Sequence, residues 1–238
     1  MDEIYQIILL AGLSGAAIPL GGLLAQISRL RPQWLEKEFR HFVIAFGGGI
    51  LLGAVALVLV PEGVDASPHP ALSILLIVAG GVCFFFLERA LGLRRHESPQ
   101  LMGMLLDYVP EAIALGGLIA SGSSTAGLMA LLIGLQNLPE GFNAYRELIR
   151  VQRSYGRTMI LMLALVPIGP IAGLLGYSLL GDYPAALAAI MLFASGGILY
   201  LIFQDIAPQS RLERHWAPPL GAVMGFCLAL AGTLAHQG

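Results

Sequence analysis

Three carboxylates stand where carboxylates are costly. Asp107, Glu111 and Glu140 each fall well inside a long apolar run, and an ionised side chain at bilayer depth costs roughly 2.5–3.5 kcal/mol even on the most lenient insertion scale. No lysine or arginine occurs at that depth on the two runs concerned. The groups are therefore either protonated and hydrogen-bonded, or they hold something cationic. Three of them in two consecutive runs favour the bound cation.

Their spacing gives the expected geometry. Asp107 and Glu111 are four residues apart and share a helix face, and Gln136 and Glu140 repeat that spacing on the next run, with Asn137 beside Gln136. Consecutive spans run in opposite directions, so the two polar groups meet near mid-depth. A proline precedes each glutamate, Pro110 and Pro139. Each is expected to kink its helix and to release the carbonyl of Leu106 or Leu135 beside the site. Backbone oxygens freed in this way are tolerated at membrane depth where they line a cavity or are otherwise buried.

The elements that must position these residues are long apolar helices. The chain has 238 residues, of which 57% are apolar and 12% charged, and its mean hydropathy is +0.79. A soluble domain of this size could not solvate such a surface. Eight runs, at 4–27, 42–61, 71–92, 101–121, 125–149, 157–180, 184–207 and 216–236, are each long enough to cross the hydrocarbon core. Short connections join them, several marked by Pro, Gly, Ser or Asp, and residues 1–238 read as one transmembrane domain. The first run lacks a basic leader and is expected to be a retained span rather than a signal peptide. Cys83 and Cys227 lie in separate apolar runs and read as packed small hydrophobes, not as a disulfide. The glycines of the first, second and seventh runs (Gly12, Gly15, Gly21, Gly22, Gly47–Gly49, Gly196–Gly197) read as sites of close helix packing.

All 13 basic residues fall in alternate connections: Arg29, Arg31, Lys37 and Arg40; Arg89, Arg94 and Arg95; Arg146, Arg150, Arg153 and Arg157; Arg211 and Arg214. One span more or fewer would scramble that parity. The positive-inside rule then puts these connections in the cytoplasm and both termini outside the cell. Asp2, Glu3, Glu62, Asp65 and Asp182 occupy the opposite side without basic neighbours. They either draw cations to that face or are simply solvated loop acids.

The hexapeptides Asp-Tyr-Val-Pro-Glu-Ala (107–112) and Gln-Asn-Leu-Pro-Glu-Gly (136–141) read alike. Three runs precede this pair and three follow, a 3+2+3 order that suits an inverted repeat with a midplane site, as in secondary transporters. Residues 136–141 resemble the fifth-span motif of the Zrt/Irt-like (ZIP) divalent metal transporters. Val-Pro-Glu-Gly (60–63) is similar to the Pro-Glu that ends the family's second span, and Gly-Ile-Leu-Tyr followed by Asp205 and Pro208 is similar to its seventh. The resemblance covers nearly the whole chain in span number and loop placement. It implies an all-α membrane protein with eight spans, both termini outside, a homodimeric assembly and a metal site on the fourth and fifth spans. The family's fourth-span histidine is Asp107 here, its asparagine is Tyr108, and the position that gives some members a second-metal carboxylate is Val166. None of the five histidines lies mid-span, and the third connection, often His-rich in the family, holds only His96. What carries over is a single metal site formed by Asp107, Glu111, Gln136 and Glu140, with Asn137 as a further donor.

Every one of these donors is an oxygen, which shifts preference toward harder ions such as Mn or Fe(II) while still admitting Zn. The expected function is therefore movement of a divalent metal (Zn, Fe or Mn, with Cd a further candidate) into the cytoplasm by alternating access. The expected location is the inner or plasma membrane, and the lipid bilayer and the metal itself are the expected partners. The alternative is a metal-binding sensor or non-transporting homologue with a degenerate site. No His-Glu-x-x-His and no nucleophile–base set occurs, so an enzyme is not expected, nor is an organic cofactor or a nucleic-acid partner. Asn143 and Glu147 continue the helical spacing of Glu140 and are expected either on a release path or, for Glu147, beside Arg146 or Arg150. Gln204 and Asp205 are expected at the inner interface.

Overall fold

A computed structural model of the chain describes residues 2–27, 33–91, 99–211 and 217–237. Arg29, Arg31, Arg94, Arg95, His96, Arg214 and His215 lie outside the described residues. The described residues contain helices and no strand: α1 (Glu3–Ile27), α2 (Gln33–Ala54), α3 (Val60–Asp65), α4 (Pro70–Leu91), α5 (Pro99–Ala120), α6 (Ala126–Gln152), α7 (Tyr155–Leu165), α8 (Ile168–Leu180), α9 (Pro184–Leu201), α10 (Ala207–Ser210) and α11 (Leu220–Gln237).

Among the described residues, six segments are long and apolar enough to cross a membrane: Glu3–Ile27, Lys37–Asp65, Pro70–Ala90, Leu101–Ala120, Tyr155–Leu180 and Pro184–Ser210. The chain is thus an all-helical protein of multi-pass membrane type. The two remaining expected spans differ for visible reasons. Helix α6 is the longest of those described, with 27 residues, but from its eleventh residue onward it carries Gln136, Asn137, Glu140, Asn143, Arg146, Glu147 and Arg150. Helix α11 is apolar but only 18 residues long.

The π-helical departures from α geometry lie away from Pro110 and Pro139. Both α5 and α6 run unbroken through Pro110 and Pro139. The departures lie one turn before two other prolines. Residues Val55–Leu59, between α2 and α3, form a π-helical turn in which the Val60 N–H donates to Val55 O, immediately ahead of Pro61. Ile202–Ile206, between α9 and α10, form another, in which the Ala207 N–H donates to Ile202 O ahead of Pro208. A proline cannot donate to the carbonyl four residues back and crowds it. A wider turn just before the ring relieves that crowding, and such π-bulges recur at functional sites. A third break, at Val166 and Pro167, separates α7 from α8.

Four intimate helix pairs build the bundle: α1 with α6, α5 with α8, α4 with α9, and α2 with α11. Each pair is parallel. Going along α1, Ser14 meets Ala130, Gly21 meets Leu138, and Gly22 meets Tyr145. Along α5, Tyr108 meets Gly169 and Gly116 meets Gly173; along α4, Gly80 meets Phe193 and Phe84 meets Gly197; along α2, Phe42 meets Gly221 and Phe46 meets Gly225. Glycine permits this closeness. A Cβ at Gly21 would collide with Leu138 O and one at Gly141 with Ile18 O, so the two backbones touch reciprocally. Apolar lipid gives helices little reason to associate, and close backbone packing at small residues supplies it. Of the glycines expected in such contacts, Gly12 is the exception, with only an ordinary 3.8 Å approach to Pro170. The buried centre contains Ile7, Ile18, Ile50, Leu115, Met129, Leu132, Ile133 and Met162. Cys83 and Cys227 are free, and both lie on exposed helix faces rather than packed inside as expected.

Candidate functional site

The turn at residues 121–125 reverses the chain between α5 and α6 and lays them side by side, with hydrogen bonds such as Ser123 N–H to Leu118 O closing it. The polar residues then meet in antiparallel register. Gln136 Nε2 donates to Glu111 Oε2, and Asp107 and Glu140 meet at one small cavity. These two pairs are related. Exchanging each residue for its counterpart in the other hexapeptide, 107 for 136 and 111 for 140, turns one pair into the other. Glu111, Gln136 and Asn137 are completely buried and Asp107 is nearly so, whereas Glu140 is only partly covered.

All five expected donors are thus brought into one cluster or to its border. Asn137 faces α1, where its Nδ2 donates to Ser14 O at 3.0 Å. Asp107 Oδ1 accepts the Tyr108 N–H at 2.7 Å. Among the described residues, Glu111 Oε1, Gln136 Oε1, Asn137 Oδ1 and Glu140 Oε2 are buried without a hydrogen-bond partner. These four are oxygens of the expected donor set; outside that set, Thr158 Oγ1 of α7 is likewise buried without a partner. Asn143 extends the same pattern, its Nδ2 donating to Pro139 O at 2.9 Å and its Oδ1 left without a partner. By sequence, no Lys, Arg or His occurs in 42–68, 101–145 or 158–208, so the helices around the cluster bring no cation at its level. Among the described residues, no three His, Cys, Asp or Glu side chains converge closely enough to form a ready-made metal group. The cluster is two carboxylate-containing pairs side by side, with amide oxygens completing the set.

Tyr108 occupies the neighbouring slot. It is fully buried, and its ring passes between α1 and α8, where a Cβ at Gly15 or Gly169 would collide with its hydroxyl. The hydroxyl donates to Ala11 O at 3.4 Å. The position is a packing wedge. At the break between α7 and α8, the Val166 N–H bonds to Leu163 O and the Val166 carbonyl faces Gly15.

Two acids have surroundings that the sequence did not suggest. Asp205, expected at the interface, lines a small cavity of about 30 Å³ together with Asp107, Glu140, Met104, Leu201 and Ile206. It comes from the π-helical turn of residues 202–206, whose Ile206 packs against Gly48 of α2. Glu88 of α4 is buried, and it accepts hydrogen bonds from the Tyr200 hydroxyl and, at 3.2 Å, from Gln204 Nε2. In sequence each is a carboxylate near the end of an apolar run, Glu88 in 71–92 and Asp205 in 184–207. On the opposite side of the bundle, Glu3 accepts the Tyr177 hydroxyl at 2.7 Å and joins the start of α1 to α8.

No protein-family model matches the sequence, and no curated protein matches it.

Proposed function

We propose that this protein is a ZIP-type transporter, in which eight helices, with both termini outside the cell, carry a divalent transition metal inward through a midplane site on α5 and α6. The observation that carries the reading is the set of four buried oxygen atoms of Glu111, Gln136, Asn137 and Glu140 that lack partners. A buried polar atom left unpaired costs about 1–3 kcal/mol. A dication held by the carboxylate and amide oxygens of the cluster would satisfy such atoms and offset the carboxylate charge. Mn, Fe(II) and Zn are the ions proposed, the first two favoured by an all-oxygen set.

Two features of the packing support the eight-span, inverted-repeat reading. In a chain that crosses eight times, alternate spans point the same way. The four intimate pairs join the first span to the fifth, the third to the seventh, the second to the eighth and the fourth to the sixth, always in parallel. Exchanging the first three spans for the last three, and the fourth for the fifth, also maps these pairs onto one another. It carries the π-helical turn before Pro61 onto the one before Pro208.

In this reading the ion loses its water to Glu111, Gln136, Asn137, Asp107 and Glu140, and a carboxylate takes up a proton as the metal leaves. The cavity at Asp205 lies beside Glu140, the donor left partly uncovered. Metal uptake into proteoliposomes tests the proposal. Uptake by the wild type and its loss in the Glu111→Ala/Glu140→Ala double variant are expected; undiminished uptake in that variant refutes the site. A metal-binding protein without flux is the second reading, favoured by the absence of three convergent acids, histidines or cysteines among the described residues. Saturable binding with no uptake would select it.

A further inference from the structure

At the end of the bundle where α1 and α6 finish and α7 begins, a cavity of about 190 Å³ opens to the outside of the protein, lined by Gln26, Tyr145, Arg146, Arg150 and Tyr155 over a floor of Ala25 and Ile149. Among the described residues its polar lining comprises Gln26, two guanidinium groups and two phenols. Arg146 and Arg150 are four residues apart on α6 and share a face. The guanidinium of Arg146 is held 4.6 Å over the ring of Phe142. Tyr145 is buried at the base, while Arg150 and Tyr155 are exposed at the rim.

The chain builds this corner with care. Helix α6 ends at Arg153, which takes the left-handed conformation (φ 51°) and returns its N–H to Ile149 O. That conformation costs a non-glycine residue roughly 1–2 kcal/mol. Ser154 then caps α7, its Oγ accepting the Arg157 N–H at 3.5 Å. Tyr155, the first residue of this 11-residue helix, lies in the cavity wall. The positive end of the α7 dipole therefore adds to the two arginines.

Depth decides what such a cavity meets. Arg150 follows Glu140 by ten residues on one continuous helix, a rise of about 15 Å. The hydrocarbon core is about 30 Å thick. If Glu140 is at mid-depth, as the proposed function requires, Arg150 is level with the phosphates of the inner leaflet. We propose that this cavity binds a phosphate oxyanion, supplied by the headgroup of an anionic phospholipid. The lipid bridges α1, α6 and α7 at the end of the helix that carries Gln136, Asn137 and Glu140.

The test is native mass spectrometry of the full chain released from vesicles of equal parts phosphatidylglycerol and phosphatidylcholine. The wild type is expected to retain phosphatidylglycerol preferentially. Arg146→Gln/Arg150→Gln is expected to lower that preference roughly tenfold or more. Arg153→Gln/Arg157→Gln, which removes the same charge outside the cavity lining, is expected to leave most of it. Arg150→Gln alone, at an exposed position, gives the same reading if the double variant does not fold. Equal retention of the two lipids by the wild type, or equal loss in both double variants, overturns the proposal. Displacement of the lipid by millimolar inorganic phosphate would overturn the lipid as the source and assign the cavity to soluble phosphate. No metal enters the measurement, so it can fail while metal uptake is intact, and the reverse.

Discussion

Glu111→Gln separates the cost of the site from its use. Glu111 is completely buried, its Oε2 accepts one bond from Gln136, and its Oε1 accepts none. The isosteric amide replaces an ionisable carboxyl on helices that bring no basic residue to its level. It also supplies a donor that Gln136 Oε1, now unpartnered, can accept after a flip of the amide. An unsatisfied buried group costs about 1–3 kcal/mol, and more when it is charged. The metal-free variant is therefore expected to be more stable than the wild type by about that amount. With metal the order reverses. A ligand at one hundred times its dissociation constant stabilises by about 2.7 kcal/mol. Loss of one carboxylate donor, taken as a 10- to 100-fold weakening, leaves about 0.4–1.4 kcal/mol of that gain at the same concentration. Thermal unfolding in detergent, with and without Mn²⁺ or Zn²⁺, reads both numbers. A variant that is less stable without metal and still shows the full metal-induced shift would refute the account of Glu111 as a costly residue kept for a cation.

Three other outcomes follow from the packing. Gly21→Val is expected to force α1 from α6 and destabilise the fold by about 1–3 kcal/mol or more, whereas Gly127→Ala, with no atom within 4 Å of the added Cβ, should be close to neutral; thermal unfolding compares them. Tyr108→Asn, which restores the residue type the ZIP resemblance expects, empties the slot between Gly15 and Gly169 and should cost about 3–5 kcal/mol by the same assay. Tyr200→Phe removes the donor to buried Glu88 and should cost about 1.5–3 kcal/mol, a loss that a Glu88→Gln background reduces in a double-variant cycle.

Much of the site was legible because its geometry is local. Two pairs at four-residue spacing, on runs joined by a short turn, leave little freedom in how Asp107, Glu111, Gln136 and Glu140 meet. The helix extents were legible for the same reason, since apolar runs of twenty residues have few alternatives. Partner choice was not. Glycines at 21, 49, 116 and 196 announce close packing without naming what they pack against, and the mates are Leu138, Ala222, Gly173 and Ile77. Glu88 sits beside Arg89 near a helix end, and nothing local says that a tyrosine 112 residues away will take its carboxylate. Asp205 likewise borders the cavity shared with Asp107 and Glu140, a neighbourhood about 65–98 residues away in sequence that nothing in its local sequence announces.

The two π-turns have a meaning in terms of chain length. Each holds one residue more than the α-helical turn it replaces, as though a single codon had been inserted into an otherwise regular helix before Pro61 and again before Pro208. The surplus residue is absorbed locally, so the helix before it and the proline segment after it keep their faces toward the bundle. Removing one residue from Ile202–Ile206 would therefore leave the bundle intact while turning Asp205 along the helix surface, away from Asp107 and Glu140. In a protein where most deletions inside a helix would be ruinous, these are two places where a frame-preserving loss of one amino acid changes the lining of a cavity and little else.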